Sequence, residues 1–159
     1  NGKLRAGEKF RPISGEKNKL METSKRWIER GEYYHEACMR LAALTGRERP
    51  TEKLDIYGEA ALVKLFEIAF ELALRTLQDY LRYRNFGKVQ NPTHIIQLAL
   101  DNGIISDREQ WHDMQRDSDY RNYIYNPGEM RNIAQRIYNS YVFTLNALDD
   151  ELRKCADEA

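Results

Sequence analysis

The segment LVKLFEIAFELALRTLQDYL, Leu62 to Leu81, sets the architecture. Ala60, Val63, Phe66, Ala69, Phe70, Ala73, Leu77, Tyr80 and Leu81 recur at helical spacing rather than at the alternation a strand requires. Leu62, Leu65 and Leu72 widen this stripe on its flank. A helix apolar over so much of its girth is covered on more than one side. It is either central in a bundle or part of an oligomer interface. The pattern predicts a helix from Asp55 to Phe86, closed by Gly87. At ~1.5 Å per residue it spans about 45 Å and sets the length of the domain. Glu67 and Glu71 stand one turn apart on this helix. Like charges at that spacing repel by a few tenths of a kcal/mol, so a cation, a shared proton or a partner chain must compensate. Lys64 and Arg75 are spaced to pair with them locally. The other reading is a polar cleft within the bundle or contact with a basic partner.

On either side the same period continues. The first helix is expected from Thr23 or Ser24, either able to cap it, with Trp27, Ile28, Tyr34, Ala37, Cys38, Leu41 and Leu44 near one face. Gly31 is a weak point inside it, and Gly46 lies just past its end. Thr45 to Leu54, with Pro50, reads as a polar loop. Asn91-Pro92 opens a short third helix through Ile95, Ile96, Leu98, Ala99 and Leu100, and Asn102-Gly103 stops it. Ser106 with Glu109 has the spacing of a capping box for a fourth helix, which carries Trp111 and Met114 and ends near Tyr125. Asn126-Pro127-Gly128 is a turn. The fifth helix runs from Glu129 to Lys154 on Met130, Ile133, Ala134, Ile137, Tyr138, Tyr141, Val142, Leu145, Leu148 and Leu152. Short connections make antiparallel neighbours. The fold class is therefore all-α, an up-and-down bundle of four to five antiparallel helices.

Composition narrows the function. The chain has 159 residues, 42% of them hydrophobic, enough for one domain with a real core, placed at residues 21–159. Lys plus Arg total 25 and Asp plus Glu total 25, which disfavours a strongly basic nucleic-acid binder. No apolar run approaches the roughly 18 residues that cross a bilayer, and no membrane partner is expected. The basic N-terminus is followed by no apolar segment, so no secretory signal is expected. Cys38 and Cys155 make no disulfide framework, and a reduced, cytoplasmic protein is the simplest reading. Residues 1–20 carry a net charge of +4 and contain Gly2, Gly7, Pro12 and Gly15. They read as a flexible basic arm, either native or an upstream extension, with nucleic-acid contact as the functional alternative.

Generic chemistry is scarce. No phosphate-binding glycine loop, zinc-spaced pair or nucleophile elbow is present. His35 and Cys38 are three residues apart, but two ligands make no metal site. His94 and His112 stand alone. The segment Tyr120 to Asn126 is dense in aromatic and polar groups. Tyr rings stack on bases and Arg binds phosphate, yet Tyr also closes interior helices with its hydroxyl left wet.

Two stretches together resemble a known family. Phe66, Glu67, Phe70, Glu71, Leu72, Ala73, Tyr80 and Leu81 match the second-helix signature of the nucleotidyltransferase substrate-binding protein family, while Leu74 and Arg75 stand where Trp and Lys are usual. Asn91-Pro92 through Ile105, then Trp111 and Met114, resemble its third helix and the start of its fourth. The resemblance covers about Met21 to Arg153. It implies membership of the HEPN superfamily of small helical bundles, often homodimeric and often paired with a separate minimal nucleotidyltransferase in toxin–antitoxin systems. ATP and Mg would then belong to the partner, with no cofactor intrinsic to this chain.

Ribonuclease members of that superfamily end their fourth helix in Arg-Asn, three residues, His, one residue, Tyr. There Arg holds phosphate, His moves protons and Tyr can accept adenylyl groups. An ungapped alignment, fixed by Trp111 and Met114 upstream and by Arg131, Ile133, Arg136 and Ile137 downstream, places Ser118 for Arg, Asp119 for Asn and Tyr123 for His. Only Tyr125 is kept. A gapped alternative matches Arg121-Asn122 but puts Asn126 in the His position and loses the Tyr. Neither retains a histidine. Cleavage through the 2′-hydroxyl needs a group that exchanges protons near pH 7. Tyr, with an unperturbed pKa of about 10, and Asn do not readily replace it.

The expected function is therefore a noncatalytic binding subunit of a minimal nucleotidyltransferase, with nucleotide or RNA as ligand. Tyr125, Arg121, Tyr123, Glu67 and Glu71 form its expected substrate- or partner-binding face, with no catalytic and no metal residue. The alternatives are a divergent ribonuclease toxin and a stand-alone helical dimer whose second-helix stripe is the interface.

Overall fold

The computed structural model describes residues 14–46 and 54–159. Its central helix, α2 (Ile56–Tyr83), begins where Gly58 N–H donates to the Asp55 side chain at 2.7 Å. An Asp in that position satisfies an orphan amide and complements the helix dipole. The helix closes earlier than expected. Asn85 adopts a left-handed conformation at φ 67°, so that Phe86 N–H reaches Leu81 O at 2.9 Å and Asn85 N–H reaches Arg82 O at 3.1 Å. This is a Schellman closure with Asn in the glycine role; Gly87 lies beyond it.

Three layers cover α2. Helix α1 (Ser14–Thr45) runs antiparallel to it, with Trp27 against Tyr80, Arg30 against Asp79 and Gly31 beside Thr76. The short helices α3 (Pro92–Asp101) and α4 (Arg108–Asp119) return the chain, and Phe70 meets Trp111 at 6.0 Å between ring centroids. The last segment is α5 (Pro127–Arg136), a π turn (Ile137–Tyr141) and α6 (Val142–Glu158). It lies parallel to α2, as the pairs Glu59–Arg131, Phe66–Tyr141 and Tyr80–Cys155 show. Helix α1 also pairs with α6 in the antiparallel sense, His35 with Asp149 and Cys38 with Leu145. The bundle is all-α, as the periodicity predicts.

Leu62, Val63, Phe66, Ala69, Ala73, Leu77 and Leu81 are each no more than 1% exposed. Full burial of the Leu, Val and Phe side chains among them stabilises by about 1.5–3 kcal/mol each. The α2 stripe is thus consumed by the chain's own core. A stand-alone dimer built on that stripe has no surface left to use. Among the described residues, no helix is long and apolar enough to cross a membrane.

Other boundaries differ from the sequence expectation. Helix α1 starts at Ser14, ahead of Thr23 and Ser24, so residues 14–20 of the expected arm are helical; residues 1–13 lie outside the described residues. Most of the expected loop with Pro50 also lies outside them. Helix α3 follows expectation: Thr93 and His94 N–H groups donate to Asn91 Oδ1, and Gly103 is left-handed at φ 68°. Helix α4 is capped by Asp107, whose carboxylate accepts from Gln110 N–H at 3.1 Å, rather than by Ser106. It ends at Asp119 because Tyr120 is extended. Asn122–Tyr125 forms a separate 3₁₀ turn. The expected fifth helix is interrupted by the π turn.

Candidate functional site

A groove of about 270 Å³ opens along α2 where α3 and α4 diverge from it. Lys64, Glu67, Ile68, Glu71 and Leu74 recur at helical spacing and give one wall, with Phe70 beside them. Pro92, Gln115, Ser118, Asp119 and Arg121 give the other. The groove therefore has an apolar strip inside a rim of both charges.

Glu67 is its most constrained polar group. Its side chain is only 9% exposed. Lys64 Nζ and Arg121 Nη1 stand 3.6 and 3.9 Å from its Oε2, close enough to neutralise it but longer than hydrogen bonds. Its Oε1 is buried and has no hydrogen-bond partner among the described residues. Leaving a buried acceptor unsatisfied costs about 1–3 kcal/mol, and the Tyr123 hydroxyl, whose pKa this carboxylate raises, is the neighbouring donor. Glu71 is largely exposed and is held by Arg75 Nη2 at 2.7 Å. The repulsion between the two carboxylates is offset by the local cations the spacing suggests, with Arg121 added from across the groove.

The far wall is held by an ion network. Asp117, one residue before Ser118, is 4% exposed. Arg136 donates to both of its oxygens, at 2.7 and 3.0 Å, and the Tyr141 hydroxyl donates at 2.5 Å. Burial, then the bond and charge of Asp117, push the Tyr141 pKa well up. The bond from Arg136 to Asp117 raises the arginine further above its ordinary value. Tyr141 is delivered by the π turn, a local form often found at functional sites. The network clamps the C-terminal end of α4, and with it Ser118 and Asp119, to the α5–α6 helix.

The expected site residues divide. Glu67, Glu71 and Arg121 line the groove together. Tyr123 is half-buried; burial, then the charge and hydrogen bond of Glu67, raise its pKa. Tyr125 stands in the same 3₁₀ turn but is 87% exposed and does not line the groove. Sequence reasoning missed Ile68, Phe70, Leu74, Pro92 and Gln115 as lining residues. The signal was present: Lys64, Glu67, Ile68, Glu71 and Leu74 make a second stripe beside the core stripe. No histidine lines this groove. His35 is engaged at the α1–α6 seam, Nδ1 with Asp149 at 2.7 Å and Nε2 with Arg153 at 2.8 Å. Its neighbour Cys38 is buried against Leu145 O, so the two side chains have separate partners.

Among curated proteins none matches the sequence. The profile of the family described as "nucleotidyltransferase substrate binding protein like" matches residues 29–154, which include every groove residue named above. The chain belongs to the nucleotidyltransferase substrate-binding protein-like family.

Proposed function

We propose that this chain is a noncatalytic subunit that holds an acceptor substrate for a minimal nucleotidyltransferase. The observation that carries the reading is a groove in which the nearly buried Glu67 is flanked by the exposed cations Lys64 and Arg121. The family, by its description, is one of substrate-binding proteins rather than transferases. ATP and Mg act in the partner, and the bundle supplies binding and position. The exposed Tyr125 lies beside the groove in sequence, next to Ile124, which is 66% exposed. Together they offer an apolar contact for the partner and a hydroxyl that can itself accept an adenylyl group. A homodimer and a cytoplasmic setting accompany this reading. So does a HEPN-like ancestry in which Ser118, Asp119 and Tyr123 replace the ribonuclease triad.

The test is reconstitution with a minimal nucleotidyltransferase from the same host. The two proteins should co-purify, and transfer from ATP should fall at least tenfold with Glu67→Ala or Arg121→Ala. Mass spectrometry reports whether Tyr125 is the acceptor; an unmodified chain leaves it a contact residue. RNA turnover by the isolated protein, abolished by Arg121→Ala, would overturn the noncatalytic assignment.

A further inference from the structure

We infer that the end of the bundle where α2 closes binds single-stranded nucleic acid, with a base stacked on Phe86 and phosphates at Arg84, Lys88 and the exposed lysines of α1. The site shares no residue with the α2–α4 groove and does not depend on what that groove holds. Its core is the run Arg82-Tyr83-Arg84-Asn85-Phe86-Gly87-Lys88, in which cations and aromatic rings interleave.

The backbone there is fixed and open. The turn at Asn85 holds Phe86 N–H on Leu81 O, and the Phe86 ring is left 39% exposed. Gly87 follows at φ 79°, where an added Cβ would meet nothing within 4 Å, so the loop stands clear of the body. Arg84 is set in place by Tyr80: its Nη1 donates to the phenol oxygen at 2.9 Å, and its guanidinium lies 5.8 Å from the ring centroid. The remaining N–H groups of the arginine have no partner among the described residues. A ring beside oriented cations is the usual means of holding a single strand, because any base stacks and any phosphate pairs.

The charge at this end is uncompensated. Helix α1 runs on past the end of α2, since Trp27 already faces Tyr80 and α1 continues back to Ser14. Residues 14–26 and 82–88 together carry a net charge of +5 in a chain whose total is zero. Asp157 and Glu158 of α6 reach the same end, as Cys155 beside Tyr80 shows, and the balance is still +3. Among the described residues only Lys25 of these cations forms an ion pair, with Glu29. Lys64, Arg75 and Arg121 along the groove are each paired with a glutamate. A cation in the last turn complements the helix dipole, which accounts for Arg82. It accounts neither for Lys88, beyond the turn, nor for an aromatic ring left in water.

The experiment follows fluorescence anisotropy as the full chain is titrated into a short labelled oligouridylate, with oligothymidylate, duplex RNA and inorganic polyphosphate as further probes. Single strands should bind saturably, and the tighter of the two names RNA or DNA as the source. Four phosphate contacts, at Arg84, Lys88, Lys17 and Lys19, should give log K a slope of roughly −3 against log salt, about −0.7 for each. Phe86→Ala should weaken binding roughly tenfold through the lost stacking. Lys88→Gln should weaken it and reduce the slope by about 0.7. Lys88 is exposed and makes no ion pair among the described residues, so this variant decides the matter even if Phe86→Ala fails to fold. Arg40→Gln removes the same charge from the other end of α1 and should leave binding unchanged. No saturable binding of either strand at low salt overturns the inference. So does duplex or polyphosphate binding as tightly as the single strands, a folded Phe86→Ala with undiminished affinity, or a loss in Arg40→Gln equal to that in Lys88→Gln.

Discussion

Replacing Asp117 by Asn tests whether the buried ion network holds the groove wall. The change keeps the shape and removes the charge. Asp117 accepts three short hydrogen bonds, two from Arg136 and one from Tyr141, and Arg116 Nε approaches at 3.7 Å. An amide has one oxygen in place of two, so its NH₂ must face a donor of Arg136 or Tyr141. Removing one partner of a buried pair costs roughly 3–5 kcal/mol. Arg136 is 35% exposed, so its stranded charge regains hydration, which lowers the expected loss to about 2–3 kcal/mol. A domain of this size holds only about 5–15 kcal/mol in total. Urea unfolding at pH 7 measures the loss. With a slope of ~1–3 kcal/mol per molar, the midpoint should fall by roughly 1–2 M. Tyr141→Phe removes a single bond and should cost about 1 kcal/mol. In the double variant the two losses should not add, because both act on one carboxylate. A loss under about 0.5 kcal/mol for Asp117→Asn, or full additivity, would refute the claim that this network fixes α4.

Two further outcomes follow from buried positions elsewhere. Gly31→Ala should stabilise by about 0.5–1 kcal/mol in thermal unfolding. A Cβ there meets only Thr76 Cγ2, at an ordinary 3.7 Å; a destabilised variant would mean that α1 and α2 pack closer. Burial, with the charges of Asp149 and Asp150 adding, pushes the Cys38 thiol up to about 12 against a bond from Tyr34 that lowers it. An unfolded thiol ionises near pH ~8.5. The folded value is the higher one, so the contribution is whole below about pH 8.5 and is lost as pH rises toward 12, at ~1.4 kcal/mol per unit. Between pH 8.5 and 10 the wild type should therefore lose ~2 kcal/mol more than Cys38→Ala; parallel losses in the two proteins exclude the mechanism.

How much of this was legible depends on the element. The α2 stripe could be read directly, because nine apolar positions share one period and no other arrangement hides them. Asn91-Pro92 was equally plain, since its chemistry is local. Helix ends were harder where two signals competed. Ser106 and Glu109 have capping-box spacing, but Asp107 is anionic and reaches the free amide of Gln110. At the end of α2, Gly87 is the obvious stop, yet the chain turns at Asn85. The start of α1 was misread because Gly15 and a polar run hide a stretch that packs little and is helical through its own propensity. Glu67 and Glu71 stood out as charges on an apolar helix. That Glu67 would be buried and Tyr125 bare was not legible, since both depend on where α4 breaks at Tyr120.

The π turn carries one more implication. Buried positions along the last segment step by four or three residues, and the heptad rhythm slips once, where Ile137, Tyr141 and Leu145 follow each other at two successive intervals of four. Ordinary helical winding there would swing everything after it by about 100° and carry Leu145, Leu148 and Leu152 off the core. The widened loop swallows the surplus unit and restores the phase. Solvent-facing Asn139 is thus the spare link in this segment. Taking it out leaves both flanks in step, whereas the same deletion within α6 would throw the remainder out of alignment.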